Sequence, residues 1–168
     1  MIRIPVLVGA ASVALVLGGP ATAVAQDCHS SHHSEVDSRG DHVMGFDHDK
    51  TTHAFRLTPK GGVIEVAVND AKDEKSLEAI HTHLEHISKM FAEGDFDAPM
   101  LIHGEQPPGV DAMKRNKSKI AWEYVETVRG GRVVARTEDA AVKEAIHAFL
   151  RFQIEEHQTG DSEDVQDE

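Results

Sequence analysis

Hydrophobic and polar residues follow two different periods along residues 43–160. The segments THAFRLTP and VIEVAVND alternate apolar and polar positions on either side of the turn Lys60–Gly62, and such alternation around glycines predicts a β-hairpin. The segments IAWEYVETV and RVVARTED flank Gly130–Gly131 in the same way. The pattern therefore predicts two β-hairpins.

A helical period follows each hairpin. Between Asp73 and Gly94, apolar residues recur at spacings of three and four, which is the period of one face of an α-helix. A glycine directly after such a segment is typical of a helix C-terminus. A second helix is predicted over residues 140–157, before Gly160. The predicted order of elements is ββα-ββα.

The two predicted helices also match each other residue by residue. AIHTHLEHISKMFAEGD (79–95) and AIHAFLRFQIEEHQTGD (145–161) share Ala-Ile-His, a leucine and the final Gly-Asp at a constant offset. We interpret this match as an internal duplication. Because each ββα unit alone would leave an apolar face open, we expect an α+β fold in which a four-stranded antiparallel sheet carries two helices on one face.

The ends of the chain differ in composition from this single domain. Residues 1–25 have a basic start, an apolar run and small residues before the expected cleavage point, a pattern that predicts a secretory signal peptide. Residues 26–42 are small, polar and rich in histidine, and predict a flexible arm. Residues 161–168 form an acidic tail. We therefore expect a periplasmic or secreted protein that keeps no membrane anchor after cleavage.

The charge and composition of the chain indicate which class of partner it binds. The formal net charge is −12 at pH 7, and the chain contains 12 histidines and one cysteine. An acidic surface repels nucleic acid, so no nucleic-acid partner is expected, whereas cations are attracted. A single cysteine excludes an internal disulfide. A metal ion is the partner that this composition favours.

The candidate metal ligands lie on the first helix. His83 and His86 occupy the positions that Phe149 and Phe152 hold in the second helix, so one copy has His-x-x-His where the other has Phe-x-x-Phe. Side chains at this spacing stand about 5–6 Å apart at Cβ and can share one ion. The alternative is that both histidines are hydrogen-bonded residues at the border of the core.

Methionines and a third histidine lie nearby in the sequence. Met90 follows His86 by one helical turn, and FDAPMLIHG brings Met100 and His103 back after a turn at Pro99. Histidine with methionine, without a cluster of thiolates, suits copper, particularly Cu(I). The predicted metal site is therefore His83, His86, His103, Met90 and Met100. Zinc on the three histidines and haem remain alternatives.

Four other histidines receive separate predictions. His81 and His147 occupy equivalent places in the two copies, which favours a structural role for both. His157 aligns with the core residue Phe91, so we expect it to be buried near the end of its helix. His53 lies on the first strand and reaches the site only if its side of the strand faces the first helix.

Four segments of the sequence together carry a resemblance to a known group of proteins. FDHDKTTHAFRL, GGVIEVAVND, HLEHISKMFAEGDFDAPMLIHG and FLRFQIEEHQTGD resemble a group of small exported bacterial proteins, some of which carry an aspartate carbamoyltransferase label. The resemblance implies that His83, His86 and His103 belong to the pattern of the group. Because the chain is much shorter than such a catalytic subunit and has no Ser-Thr-Arg-Thr phosphate loop, we do not expect that activity.

The sequence does not favour an enzyme. It contains no Gly-x-Ser-x-Gly elbow, no phosphate-binding loop and no dinucleotide fingerprint. The function expected from the sequence is therefore that of an exported protein that binds or handles copper through a His/Met site. Two alternatives remain open: a metal-free module that recruits a protein partner, and a binder of haem or another small ligand.

Overall fold

A computed structural model describes residues 23–167 of the chain, with side chains from residue 34 onward. Within them, two short 3₁₀ turns, His48–Lys50 and Lys117–Lys119, precede β1 and β3. The helices are α1 (Ala23–Met44), α2 (Glu74–Glu93), α3 (Asp97–His103), α4 (Val110–Arg115) and α5 (Ala140–Glu156). The strands are β1 (Thr51–Thr58), β2 (Gly61–Val68), β3 (Ala121–Thr127) and β4 (Gly130–Arg136).

The strands form one antiparallel sheet in the order β1-β2-β4-β3. The α+β class and the four-stranded antiparallel sheet predicted from the sequence are confirmed. The two central strands pair symmetrically: Gly61 lies opposite Arg136, Ala67 lies opposite Gly130, and Ile64 faces Val133 at the centre. Superposing Gly61 on Gly130 carries the first hairpin onto the second, so the pairing has an approximate twofold symmetry.

The two long helices do not pack on the hairpins that precede them in the sequence. Helix α2, which follows the first hairpin, packs mainly on β3 and β4, whereas α5, which follows the second hairpin, packs on β1 and β2. Each helix therefore covers the hairpin of the other half. As a result, the apolar face of either hairpin is buried only when both halves are folded together.

Equivalent caps begin the two long helices. The Asp73 side chain accepts a hydrogen bond from the backbone N–H of Ser76, and the Asp139 side chain accepts from Ala141 and Val142. These bonds satisfy backbone donors that the first turn of a helix leaves free. They explain locally why the two helices begin at equivalent positions, since Asp73 and Asp139 are separated by the same offset as the matched helix residues.

The segment between the halves has more helix than the sequence indicated. Residues 97–103 and 110–115 form α3 and α4, where a turn at Pro99 and a proline-bearing connection were expected. Pro99 lies in the first turn of α3, where its missing N–H removes no internal hydrogen bond. Helix α3 packs against α1.

The arm predicted to be flexible over residues 26–42 is helical instead, because it belongs to α1. Val36 is fully buried in the core, and the Arg39 Nε donates to the carbonyl of Ile102 at 2.6 Å. This part of α1 therefore belongs to the domain, which begins before Val43. Residues 1–22 of the predicted signal peptide lie outside the described residues, so the signal peptide stays a prediction.

The acidic tail is also attached to the sheet. Asp161 Oδ2 accepts a hydrogen bond from the backbone N–H of Phe55 at 2.8 Å. Val165 forms a parallel bridge to Leu57, whose carbonyl accepts from the N–H of Gln166. The tail thus covers part of the edge of β1. No helix among residues 23–167 is long and apolar enough to cross a membrane.

Candidate metal site

The histidines predicted on the first helix differ in their surroundings. His83 is half-buried, and its ring makes an edge contact with Phe46 at a centroid distance of 5.7 Å. His86 is exposed one turn later, and the half-buried Met90 packs against the core. Helix α2 therefore directs only one of its two candidate imidazoles, His83, towards the interior.

His103 belongs to a different set of contacts. It is 3% exposed at the end of α3, and its Nε2 donates to Gln153 Oε1 at 3.0 Å. Its Nδ1 lies 3.6 Å from Glu156 Oε2. Burial lowers the pKa of His103, although the hydrogen bond to Gln153 and the charge of Glu156 oppose this effect. His103 is thus held by α5.

The structure does not bring the predicted ligands together as one set. His83, His86 and His103 do not place ligand atoms within 4.8 Å of one another, and within the described part of the chain the three-residue group that meets this distance is Asp41, Asp47 and His48.

His53 and His157, which were not predicted to form a pair, lie next to each other in the structure. His53 on β1 and His157, directly after α5, stack with ring centroids 5.5 Å apart and planes 4° apart. His53 also lies against Phe46, with centroids 6.0 Å apart. Because α5 covers β1, the side of β1 that carries His53 faces α5.

The same place in the other half holds two rings that do not titrate. The superposition of the hairpins carries His53 onto Trp122, and the match between the helices carries Phe91 onto His157. Phe91 and Trp122 contact each other with centroids 5.0 Å apart. One half therefore fills this position with a phenyl ring and an indole, whose buried Nε1 has no hydrogen-bond partner, whereas the other fills it with two imidazoles.

The histidine pair lines a cavity of about 60 Å³ between the sheet and the helices. Other lining residues add a thioether, an imidazole and an amide around the pair: Met44 from α1, His83 from α2 and Gln153 from α5. The remaining wall is apolar. Its residues are Phe55, Ile64, Val66, Leu84, Ile87, Phe91, Ala98, Pro99, Ile102 and Phe149. The cavity lining thus includes a thioether, an amide and three imidazoles, although the ligand atoms of the three imidazoles do not all lie within 4.8 Å of one another.

Burial keeps two of these imidazoles uncharged. It lowers the pKa of His53 to about 4, and the charge of His48 adds to the effect while that of Asp41 opposes it. Burial also lowers the pKa of His83 to about 4, assisted by His53 and His86. A neutral imidazole keeps a lone pair for a metal ion. The buried Nε2 of His53 has no hydrogen-bond partner.

The pair also lines a second cleft, with a volume of about 230 Å³. Asp37 and His48 line it, together with Met44, His53 and His157, which also line the cavity. The Asp41 Oδ1 accepts from His48 Nδ1 at 3.1 Å. Burial alone would lower the pKa of His48, but this hydrogen bond and the nearby carboxylates raise it. In the lining of the cleft, the carboxylate of Asp37 therefore lies beside an imidazole, His48, whose charged form is favoured.

The group formed by Asp41, Asp47 and His48 could itself hold a metal ion, because its three ligand atoms converge. Carboxylate and imidazole ligands suit divalent ions such as zinc. In this structure, His48 already pairs with the acidic side chains. These contacts satisfy its ring without a metal.

His147 has a structural position. Its Nε2 donates to the carbonyl of Thr58 at 3.0 Å, and the side chain is buried. Its counterpart His81 is half-buried, with Nδ1 3.9 Å from Glu126. Neither residue lines the cavity.

Met44 and Gln153 are the cavity residues that sequence reasoning missed. Met44 lies just outside the predicted arm and was not predicted as a ligand. Gln153 is neither a histidine nor a methionine, the two residue types that the sequence indicated as metal ligands. A usable signal did exist for His53 and His157. Laying Gly61 over Gly130 places His53 on Trp122, as the helix overlay places His157 on Phe91.

The chain matches no family model, no curated protein and no solved structure. Its resemblance to small exported bacterial proteins therefore stays a prediction from the sequence. Function has to be argued from the site itself.

Proposed function

We propose that this chain is an exported metal-binding protein that binds or handles copper in a pocket formed by Met44, His53, His83 and His157. The observation that carries the proposal is the stacked pair His53 and His157, which lines one cavity with His83 and Met44. His83 is retained from the site expected from the sequence. The other three residues replace His86, His103, Met90 and Met100.

The choice of copper rests on the ligand types. Imidazole nitrogens suit copper and zinc alike, whereas a thioether selects for Cu(I). Met44 is buried and lines the cavity beside the histidines. Cu(I) also accepts few ligands, so two imidazoles and Met44 form a sufficient set. Zinc, which prefers four ligands in a tetrahedron, fits the same residues less well.

The comparison of the two halves supports a role beyond packing. Leaving a buried polar group unsatisfied costs about 1–3 kcal/mol, and His53 Nε2 is such a group. The other half fills the equivalent position with Trp122, which contacts Phe91. The buried Nε1 of Trp122 also has no hydrogen-bond partner, so what distinguishes His53 is the chemistry of its ring: a neutral imidazole has a nitrogen lone pair that can bind a metal ion, whereas an indole has none.

The size and charge of the surroundings favour an ion over the alternatives. A cavity of about 60 Å³ holds a few water-sized volumes, since one water needs about 10–15 Å³, and this does not support haem. The net charge of −12 attracts cations. The proposed periplasmic or secreted location rests on the signal peptide predicted over residues 1–25.

The first experiment is a titration of the purified chain with Cu(I) against a competing chelator. The test variant is His53→Trp/His157→Phe, which installs the two residues of the other half at their equivalent positions. We expect it to fold and to lose tight binding. His86→Asn serves as the control, because His86 is exposed, and it should bind like wild type.

A further variant replaces Cys28, His29, His32 and His33 with serine. It is preferable to a chain that starts at Val43, because that deletion would also remove the buried Val36. We expect the serine variant to keep one tight Cu(I) site. If it loses the tight site while His53→Trp/His157→Phe retains it, the pocket is not the copper site.

The pH dependence distinguishes the pocket from exposed histidines. Protons compete with a metal for an imidazole only near or below its pKa, which is about 4 for His53 and His83 and about 6.5 for an ordinary histidine. We therefore expect copper to stay in the pocket at pH 5. Release of all copper between pH 7 and 5 would contradict the assignment.

A further inference from the structure

Gln153 has an unusual position at the inner end of the cavity. It is 5% exposed, and it lines the cavity one helical turn before His157. Its Oε1 accepts the hydrogen bond from His103 Nε2 at 3.0 Å. Its Nε2 is buried and has no hydrogen-bond partner. One end of the amide is therefore held, whereas the other carries unused donors.

His103 determines which end of the amide is free. Because Oε1 accepts from His103, the NH₂ group has to point away from it. His103 itself is packed edge-on against His157 and Phe152, with centroids 5.0 Å apart in each case. One end of the Gln153 amide is thus held by a buried neighbour.

A buried amide donor is normally satisfied by an acceptor. The apolar residues of the cavity wall offer none in their side chains, and the proposed function uses the imidazole nitrogens and the thioether of Met44 for the ion. A small molecule that shares the cavity with the ion can supply the missing acceptor. A volume of about 60 Å³ exceeds the 10–15 Å³ or so that one water requires, so an ion and one small molecule fit together.

We infer that the bound copper carries a small exchangeable ligand and that Gln153 Nε2 donates a hydrogen bond to it. The ligand class is a molecule of a few atoms that coordinates copper through one atom and accepts a hydrogen bond. This inference rests on the proposed function. It assigns Gln153 as a positioning residue that selects such ligands, and it implies that the protein ligands leave one position on the ion open.

The test uses carbon monoxide as the probe on the Cu(I)-loaded chain. Carbon monoxide binds Cu(I) that has an open position, and a hydrogen bond to its oxygen lowers the C–O stretching frequency. We expect wild type to give one C–O band in the infrared. In Gln153→Leu the band should move to higher frequency, and the affinity should fall about fivefold, the equivalent of one neutral hydrogen bond.

Gln106→Leu is the matched control, because Gln106 is exposed in a loop, and its band and affinity should equal those of wild type. If Gln153→Leu does not fold, Gln153→Asn withdraws the amide by one methylene and should move the band in the same direction. Absence of a C–O band, or an equal band and affinity in wild type and the Gln153 variant, would overturn the inference.

Copper stoichiometry is measured before the probe is added, so the two proposals can fail separately. A chain that takes up no copper in the pocket overturns both. A chain that holds one Cu(I) but does not bind carbon monoxide overturns the open position and leaves the copper site standing.

Discussion

Gly62 in the first hairpin lies directly beneath the Leu150 side chain of α5, and a Cβ atom on Gly62 would overlap Leu150 Cδ1. The equivalent contact in the other half joins Gly131 and Leu84 of α2. Each pair connects a hairpin to the helix of the opposite half. The two halves are therefore interlocked through contacts that have almost no free space.

We expect Gly62→Ala to destabilise the protein by about 1–3 kcal/mol, the usual cost of overpacking a core. The new Cβ would also lie 2.8 Å from the carbonyl oxygen of Arg56, which cannot rotate away. Gly131→Ala should cost less, because its nearest neighbours are side-chain atoms of Tyr124 and Leu84. Urea unfolding measures both. Equal stability of Gly62→Ala and wild type would contradict the packing described here.

Neither half should fold alone. Residues 43–96 and 118–161, expressed separately, each lack the helix that covers their own hairpin, since α2 packs on β3 and β4 and α5 on β1 and β2. We expect each fragment to show no cooperative unfolding in circular dichroism. Mixing the two should restore part of the signal. Cooperative unfolding of one fragment by itself would show that its helix can fold back on its own hairpin.

Val36 tests whether α1 belongs to the domain. Its side chain is fully buried, so Val36→Ala should lower the free energy of unfolding by about 1–3 kcal/mol. Glu35→Ala is the matched control, because Glu35 is exposed and pairs across the surface with Arg39 at 3.3 Å. Its effect should stay within about 0.5 kcal/mol. If Val36→Ala leaves the free energy of unfolding unchanged, this segment is a flexible arm and not part of the folded domain.

The metal-free protein should lose stability as the pH falls from about 6.5 towards 4. His53 and His83 have pKa values of about 4 when folded and about 6.5 when unfolded, so the unfolded chain binds more protons in this window. Each such histidine contributes a slope of about 1.4 kcal/mol per pH unit. His48, whose pKa is raised, opposes the trend.

Urea unfolding at pH 7, 6 and 5 measures this slope. His53→Trp/His157→Phe removes the titrating group at residue 53, so its stability should depend less steeply on pH than that of wild type. An identical slope in wild type and variant would mean that His53 is not held neutral by the fold.

The sequence by itself determined the elements that depend on local spacing. The hairpins follow from alternation around Gly61 and Gly130, and the long helices from apolar spacing between a capping aspartate and a terminal glycine or histidine. These features depend only on residues that lie a few positions apart in the sequence. In the structure, Asp73 and Asp139 cap the two helices at the same offset as the match between the helices.

Only the tertiary structure decided which side chains meet. His83 and His86 are adjacent on one helix, yet one faces the cavity and the other is exposed. His53 and His157 are far apart in the chain, and they stack because α5 crosses to the hairpin of the first half. Gln153 joins them because His103 holds one end of its amide. Helical and strand periodicity specify the face of an element on which a residue lies, whereas the partner of that face depends on how elements distant in sequence pack.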